Sequence, residues 1–230
     1  MSEFFSIIVP VYNESESINF VVEEIFSTMK LCKNNFELIV VNDGSTDKTI
    51  DKIELLKKKY KIRLINNNIN KGQSFSIFEA IKYSNYKTVI TLDGDGQNDP
   101  NDIKKLLNIY NTNQYGLVGG IRKKRKDSYI KIISSKIANK IRSFILNDNC
   151  EDTGCSLKIF NKEVFLKFPY FDGMHRYLPA LFGGFKSNTV FIEVNHRARF
   201  SGNSKYGIVG RLFKGIKDLV MVYFLLRKLK

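Results

Sequence analysis

From Phe4 to Tyr110 the chain alternates short apolar, β-branched runs with longer amphipathic ones, and this constrains its fold more than any other feature. Residues 4–9, 37–41, 62–65 and 88–92 read as strands. Residues 17–31, 47–59, 73–83 and 99–110 read as the helices that follow them. A βαβαβαβα order predicts an α/β fold: a mainly parallel central sheet, flanking helices and right-handed crossovers. Ligands of such sheets collect outside the carboxyl ends of the strands. Polar punctuation falls at each of those ends: Asn13-Glu14, Asn42-Asp43-Gly44-Ser45, Asn66 to Gly72, and Asp93-Gly94-Asp95-Gly96-Gln97.

The last of these carries the most chemistry. In a continuing strand Asp93 and Asp95 share one face, and the glycines let the backbone turn tightly around a ligand. Hard oxygen ligands at a strand end suit Mg²⁺ or Mn²⁺, with the remaining positions left to water and phosphate. Taken alone, the same residues also read as a polar turn that solvates a strand end. Asp43 either meets a donor group of a nucleobase or ribose, or belongs to a turn in which Thr46 or Asp47 caps the next helix. Asn13-Glu14 allow the same two readings. Lys71 is either a cation beside a diphosphate or a solvated loop lysine. Together these loops describe a nucleotide-diphosphate pocket closed by a metal. The chain lacks Gly-x-x-x-x-Gly-Lys-Ser/Thr, and lacks Gly-x-Gly-x-x-Gly after its first strand. That argues against a P-loop ATPase or a dinucleotide enzyme.

The second half is less regular. Residues 117–121 and 190–194 read as strands. Residues 128–146 read as an amphipathic helix with Ile130, Ile133, Ile137, Ile141 and Phe144 on one face. From Tyr206 onward, Val209, Leu212, Phe213, Ile216, Leu219, Val220 and Phe224 recur at helical spacing. The net charge of +14 matters because it is concentrated. Arg122 to Lys126 is an unbroken run of cations, and Arg197, Arg199, Lys205, Arg211, Lys214 and Lys217 cluster near the end. Such clusters fit an anionic partner: phosphate, nucleic acid or a lipid surface. With 230 residues, 43% of them hydrophobic, the chain can bury a sizeable core. Cys32, Cys150 and Cys155 lack zinc-site spacing, and their odd number argues against a disulfide framework, which points to a reducing, cytosolic setting. The chain opens on a strand without a signal-peptide pattern. Its longest apolar run, residues 219–226, is shorter than the ~20 residues that span a bilayer. His175 and His196 read as structural, although Phe171 to Arg176 could instead shape a sugar or acceptor pocket.

Four segments resemble, in order and spacing, the family-2 glycosyltransferases of the GT-A fold. They are Val9-Pro10-Val11-Tyr12-Asn13-Glu14, Val41-Asn42-Asp43-Gly44-Ser45, Asn70-Lys71-Gly72 and Leu92-Asp93-Gly94-Asp95-Gly96-Gln97. Three later segments look like the polyprenyl-phosphate branch, that of dolichol-phosphate mannose synthase and its bacterial relatives. They are Gly120-Ile121-Arg122, Asp152-Thr153-Gly154-Cys155-Ser156-Leu157-Lys158, and Arg199 to Tyr206. The chain has no Trp and therefore cannot carry the Gln-x-x-Arg-Trp motif of processive polysaccharide synthases.

The resemblance implies a Rossmann-like GT-A domain over residues 1–205, with an amphipathic membrane-interface helix over 206–230. It implies that Pro10, Tyr12, Glu14 and Asp43 line the nucleoside of a UDP- or GDP-sugar, with Lys71 beside the diphosphate. Asp93, Asp95 and Gln97 would surround Mg²⁺ or Mn²⁺, partly through that diphosphate. Arg199, with Lys205 nearby, would close over the donor phosphates. Arg122, Lys131 and Ser135 would meet the lipid phosphate. Lys131 and Lys158 depart from the Arg often found at the matching places, and position 131 thereby gives up a bidentate phosphate fork. Asp152 either orients the acceptor or its cationic neighbours, or is a turn carboxylate.

The implied reaction is a single displacement, inverting the anomeric carbon, from nucleotide-sugar to polyprenyl phosphate for cell-envelope or lipid-linked glycosylation. Asp95, Asp152 and Arg199 are the catalytic candidates. The acceptor is already anionic near neutral pH and needs alignment more than deprotonation. Two other readings stay open: transfer to a saccharide or protein hydroxyl, and a non-catalytic basic protein that binds a membrane or RNA. The intact Asp93, Asp95 and Gln97 speak against the second.

A lipid acceptor requires a route to the bilayer. Burying about eight large apolar side chains of residues 206–230 yields on the order of 10 kcal/mol. Each basic residue near an anionic surface adds ~1 kcal/mol. The same face could pack on the protein's own sheet. Its width, and its ending in Arg227-Lys228, favour the interface. The expected partners are a nucleotide-sugar, polyprenyl phosphate and the inner face of the cell membrane, with a second copy or a separate membrane subunit possible and no nucleic acid.

Overall fold

The computed structural model describes residues 4–32, 35–113, 115–122, 129–199 and 208–228; for residues 32, 129–136 and 208–214 it describes the backbone alone. The expected alternation is present. Strands β1 (Phe4–Val11), β2 (Asn35–Asp43), β3 (Ile62–Asn67) and β4 (Thr88–Thr91) run parallel, joined by helices α1 (Ile18–Cys32), α2 (Thr49–Lys57) and α3 (Gln73–Tyr83). A 3-10 turn at Pro100–Asp102 then leads into α4 (Ile103–Asn113) and β5 (Leu117–Arg122). Next come α5 (Tyr129–Leu146), β6 (Lys158–Asn161), α6 (Lys162–Phe165), a 3-10 turn at Met174–Arg176, α7 (Leu178–Gly184), β7 (Thr189–Val194) and α8 (Ile208–Lys228).

The strands make one seven-stranded sheet in the order β3-β2-β1-β4-β6-β5-β7. β6 runs antiparallel to both its neighbours, whereas β5 and β7 are parallel. β6 is absent from the sequence reading, because Lys158 and Asn161 leave only two apolar residues between them. Its register has a consequence for the site: Thr91, the last residue of β4, lies opposite Lys158, the first of β6. The segment leading into β6 therefore meets the Asp93 turn that leaves β4. Strand order also reverses between β1 and β4, which opens a crevice at their carboxyl ends.

Alternate residues of each strand enter opposite cores. Ile7 and Val9 of β1, with Leu38, Val40 and Ile90, pack on the side of α1, α2 and α4. Ile8, with Ile39, Val41 and Val89, packs on the side of α3 and α7. Helix α8 combines both expectations for the C-terminal segment. Val222 and Leu226 are buried in the second core, and Leu226 lies against Gly184 of α7. Ile216, Val220 and Phe224 stay exposed, Phe224 by 58%. The apolar face of α5 is exposed as well: Ile137 and Ile141 face solvent, and Phe144 is 89% exposed. Ile130 and Ile133 lie on α5, but their side chains are outside the described residues. Among the described residues no helix is long and apolar enough to cross a membrane.

Candidate active site

The loops after β1 and β2 are knitted into one wall. Asn13 takes a left-handed conformation (φ +53°), which Asn tolerates better than most residues. Its Oδ1 accepts from the Thr46 N–H at 2.7 Å, and its own N–H donates to Ser45 Oγ at 2.9 Å. The Glu14 N–H donates to Thr49 Oγ1 at 2.9 Å. Pro10, Tyr12 and Glu14 are half-buried along this wall. Gly44 (φ +69°) closes it: a Cβ there would sit 2.5 Å from the Ile69 carbonyl carbon, so only glycine fits.

Asp43 is buried and its carboxylate is engaged within the protein. Oδ1 accepts from the Lys71 N–H at 2.9 Å and from Asn67 Nδ2 at 3.0 Å, and Oδ2 accepts from the Gly72 N–H at 2.8 Å. Asp43 thus shapes the 67–72 loop, and a nucleoside would share its lone pairs with that loop. The Lys71 ammonium lies 4.5 Å from the centroid of the Phe75 ring.

The Asp93–Gln97 turn is braced from three sides. The Asp93 N–H donates to Asn98 Oδ1 at 2.9 Å, and Ser17 Oγ donates to the Gly94 carbonyl at 2.7 Å. Gln73 Nε2 donates to Asp93 Oδ1 at 2.8 Å. Asp95 accepts the Gln97 N–H on Oδ1 at 3.0 Å, while Arg199 grips Oδ2 through Nη2 at 2.7 Å and Nε at 3.1 Å. Burial first, and the Asp95 charge second, push the Asp93 carboxyl up to about 6. A Ser156 hydrogen bond and the cations Lys158 and Arg122 draw it part of the way back. This crowded pair of hard carboxylates fits a divalent cation, which would relieve the repulsion. Among the described residues no cluster of three or more His, Cys, Asp or Glu makes a complete metal site. Such a cation would therefore draw further oxygens from a ligand or water.

Gln97 ties this turn to the segment that carries Arg199. Its side-chain Nε2 donates to the Arg197 carbonyl at 3.3 Å, and the Arg197 N–H donates to its carbonyl at 3.0 Å. Arg197 itself is held by Glu24 at 2.7 Å and Asp99 at 2.9 Å, which leaves Arg199 to face the carboxylates. On the other flank, Arg122 and Asp152 form a two-pronged ion pair. Nε and Nη2 each donate at 2.7 Å, and the Arg122 backbone N–H adds a third bond at 3.1 Å. Of the roles open to Asp152 in the sequence, the geometry supports holding a cationic neighbour. Lys131 and Ser135 lie on α5 with their side chains outside the described residues, and Lys205 lies outside them entirely.

Sequence reasoning did not single out Gln73, Ser74 or Ser156 for the site, and for His175 it left open a structural role or a place in a sugar or acceptor pocket. Gln73, Ser156, Lys158 and His175 line a small cleft together with Asp93. Lys158 is buried, and its ammonium donates to the carbonyls of Cys155 and, at 3.4 Å, Thr153. Ser74 and His175 are 101 residues apart in the chain, and no local pattern links them.

The chain is matched over residues 6–168 by the family model for glycosyl transferase family 2. The chain belongs to glycosyl transferase family 2. This glycosyltransferase is 35% identical over 231 residues to the dodecaprenyl-phosphate galacturonate synthase of Rhizobium johnstonii, covering 96% of this chain and 67% of the relative. It is 31% identical to the undecaprenyl-phosphate 4-deoxy-4-formamido-L-arabinose transferase of Proteus mirabilis, covering 94% of this chain and 66% of that one. The chain thus spans about two thirds of the length of these curated relatives. Glucosyl-3-phosphoglycerate synthase from Mycobacterium tuberculosis, solved with Mn²⁺, UDP and phosphoglyceric acid, superposes with a TM-score of 0.72 at 15% identity. That superposition covers 97% of this chain and 78% of the other, and it shows the GT-A-like fold.

Proposed function

We propose that this glycosyltransferase moves a sugar from a nucleoside diphosphate, UDP- or GDP-linked, to the phosphate of a polyprenyl phosphate, with inversion at the anomeric carbon. The arrangement that carries the reading is the pair of charge constellations at the carboxyl ends of β4 and β5. Asp93 and Asp95 end β4, and the Arg122–Asp152 clamp stands close enough for the Arg122 charge to act on the Asp93 carboxyl. The relatives named for dodecaprenyl- and undecaprenyl-phosphate supply the acceptor class.

In this reading the wall of Pro10, Tyr12, Glu14 and the Asp43-held loop receives the nucleoside. Asp93 and Asp95 would hold Mg²⁺ or Mn²⁺, with Gln97 keeping the turn in place, and the ion would supply positive charge to the leaving diphosphate. Arg199 exchanges Asp95 for donor phosphate oxygens, so a guanidinium already at the site meets the charge that develops there. Arg122, its fork fixed by Asp152, aligns the acceptor phosphate through charge-assisted hydrogen bonds. The acceptor oxygen attacks the anomeric carbon as the bond to the nucleoside diphosphate breaks, and no protein base has to take a proton.

A peripheral position on the inner membrane face follows from the same acceptor. The exposed stripes Ile137, Ile141, Phe144 on α5 and Ile216, Val220, Phe224 on α8 would rest on lipid. Replacing both Val220 and Phe224 with aspartate should reduce sedimentation with phosphatidylglycerol-containing vesicles by about tenfold or more, because each buried side chain contributes roughly 1.5–3 kcal/mol. Both side chains are exposed, so the fold should survive. Unchanged vesicle binding would assign the stripes to another partner.

The reading is tested with radiolabelled UDP- and GDP-sugars, Mg²⁺ or Mn²⁺, and short-chain polyprenyl phosphate, followed by lipid extraction. Metal-dependent label in the lipid phase is expected. Without the cation Asp93 takes up its proton near pH 6, so the Mg²⁺ or Mn²⁺ concentration needed for half-maximal transfer should rise as pH falls through that value. Label found only in water-soluble products would replace this reading with a hydroxyl acceptor.

A further inference from the structure

Ser74 and His175 belong neither to the nucleoside wall nor to the carboxylate turn, yet they meet beside the cleft that Asp93 shares. Ser74 is buried in the first turn of α3, and His175 sits in the 3-10 turn at Met174–Arg176. Ser74 Oγ and His175 Nδ1 are 2.6 Å apart. The Gly173 N–H donates to the same Oγ at 2.9 Å. With the Gly173 N–H as donor to Oγ, the assignment that uses the Ser74 hydroxyl proton sends it to Nδ1. The neutral imidazole then carries its proton on Nε2 and is a donor there.

The turn that presents this ring is clamped from two helices. Gly173 (φ +99°) packs so closely on α8 that a Cβ would lie 2.6 Å from Asp218 Oδ2. Tyr177 Oη donates to the Gly215 carbonyl of α8 at 3.0 Å. Ser74 holds the other side from α3. A side chain whose tautomer and backbone are both fixed is preorganised for recognition.

Position tells what it would recognise. The nucleoside wall lies at the ends of β1 and β2, and the Arg122–Asp152 clamp lies toward β5 and β6. β4 stands between them in the sheet, and the His175 cleft is at its end. A sugar passing from nucleotide to acceptor phosphate occupies that interval. We propose that His175 is a specificity-determining residue of this transferase, its Nε2–H donating to a hydroxyl or carboxylate oxygen of the transferred sugar. The inference rests on the proposed reaction for the path of the sugar, and on the Ser74–His175 geometry beside Asp93 for the contact.

The test compares nucleotide-sugar with bare nucleotide. UDP-glucose, UDP-glucuronate, UDP-galacturonate and UDP, with their GDP counterparts where available, are titrated calorimetrically into wild type, His175→Ala and His175→Gln with Mg²⁺ present. Steady-state kinetics follow with whichever sugar is transferred. His175→Ala is expected to weaken the bound nucleotide-sugar, or lower its kcat/KM, by about tenfold, the scale of one lost hydrogen bond. Nucleoside diphosphate affinity should stay within about twofold, and glutamine, which keeps an N–H donor, should restore part of the loss. A larger loss with the uronates than with UDP-glucose would identify the contacted oxygen as a carboxylate. An equal loss of nucleotide-sugar and nucleotide, or no loss of either, would overturn the assignment. A wild type that binds nucleotide-sugar yet labels no lipid would sink the polyprenyl-phosphate reaction, and the binding comparison would still decide the role of His175.

Discussion

Asp95→Asn should lower sugar transfer by about a thousandfold while the protein stays folded, since removing one group that stabilises developing charge costs on the order of 10²–10³ in rate and this group serves two such interactions. Asp95 is almost fully buried, so the variant must be judged on what its two oxygens do. Oδ1 closes the turn through the Gln97 N–H, and an asparagine carbonyl can keep that bond. Oδ2 holds Arg199 through both Nε and Nη2, and a neutral amide cannot balance that charge. The same substitution removes a hard ligand from the pair that would bind the divalent ion. It also removes the charge that helps to push Asp93 up, so Asp93 should titrate at lower pH in the variant. Losing a repulsive neighbour offsets part of the lost ion pair, which is why the urea midpoint should move little. Transfer within about tenfold of wild type, against that scale, would show that the reaction does not use this carboxylate, whatever the fold resemblance.

The two halves of this molecule were unequally legible, for a physical reason. The strands and helices through α4 follow one another in a regular alternation, and each strand end carries its polar residues within a few positions. Asp93 and Asp95 therefore declare themselves as a pair without any knowledge of what faces them. Asp43 and Asp152 do not, because the work of a carboxylate depends on its partner. For Asp43 the partners are the backbone N–H groups of Lys71 and Gly72, and for Asp152 the guanidinium of Arg122 thirty residues earlier. His175 is less legible still, since its role follows from Ser74 and Gly173 meeting across the fold. Periodicity also measures how wide an apolar face is, not what covers it. In α8 it marks Leu219, Val220 and Phe224 alike, yet Leu219 packs against the core while the other two stay exposed, and it passes over Val222 and Leu226, which enter the core. In α5 the face is exposed where a core-facing stripe was equally consistent with the pattern.

Asp152→Ala tests the other flank, and here stability and function should separate. Arg122 and Asp152 are 14% and 7% exposed in their side chains, so neither is well solvated when its partner is lost. Breaking such a pair costs about 3 kcal/mol or more, chiefly because the surviving charge is stranded. The guanidinium also lies over Gly154, where a Cβ would come within 2.7 Å of Nη2, so it has a fitted seat that only the carboxylate keeps filled. The alanine variant should therefore unfold at lower urea and show a KM for polyprenyl phosphate raised by about tenfold or more, the scale of a lost charge-assisted bond. Removing Arg122 as well takes the stranded charge away. The double variant Arg122→Ala/Asp152→Ala should be less destabilised than the sum of the two single variants by about 1–3 kcal/mol, as directly coupled residues are. It should not regain acceptor affinity if the proposed assignment holds, because the group assigned to the phosphate is gone. A cycle in which stability is additive would mean that the pair is not coupled in solution. Recovery of acceptor KM in the double variant would mean that Arg122 serves only to neutralise Asp152, and that the lipid phosphate is held elsewhere.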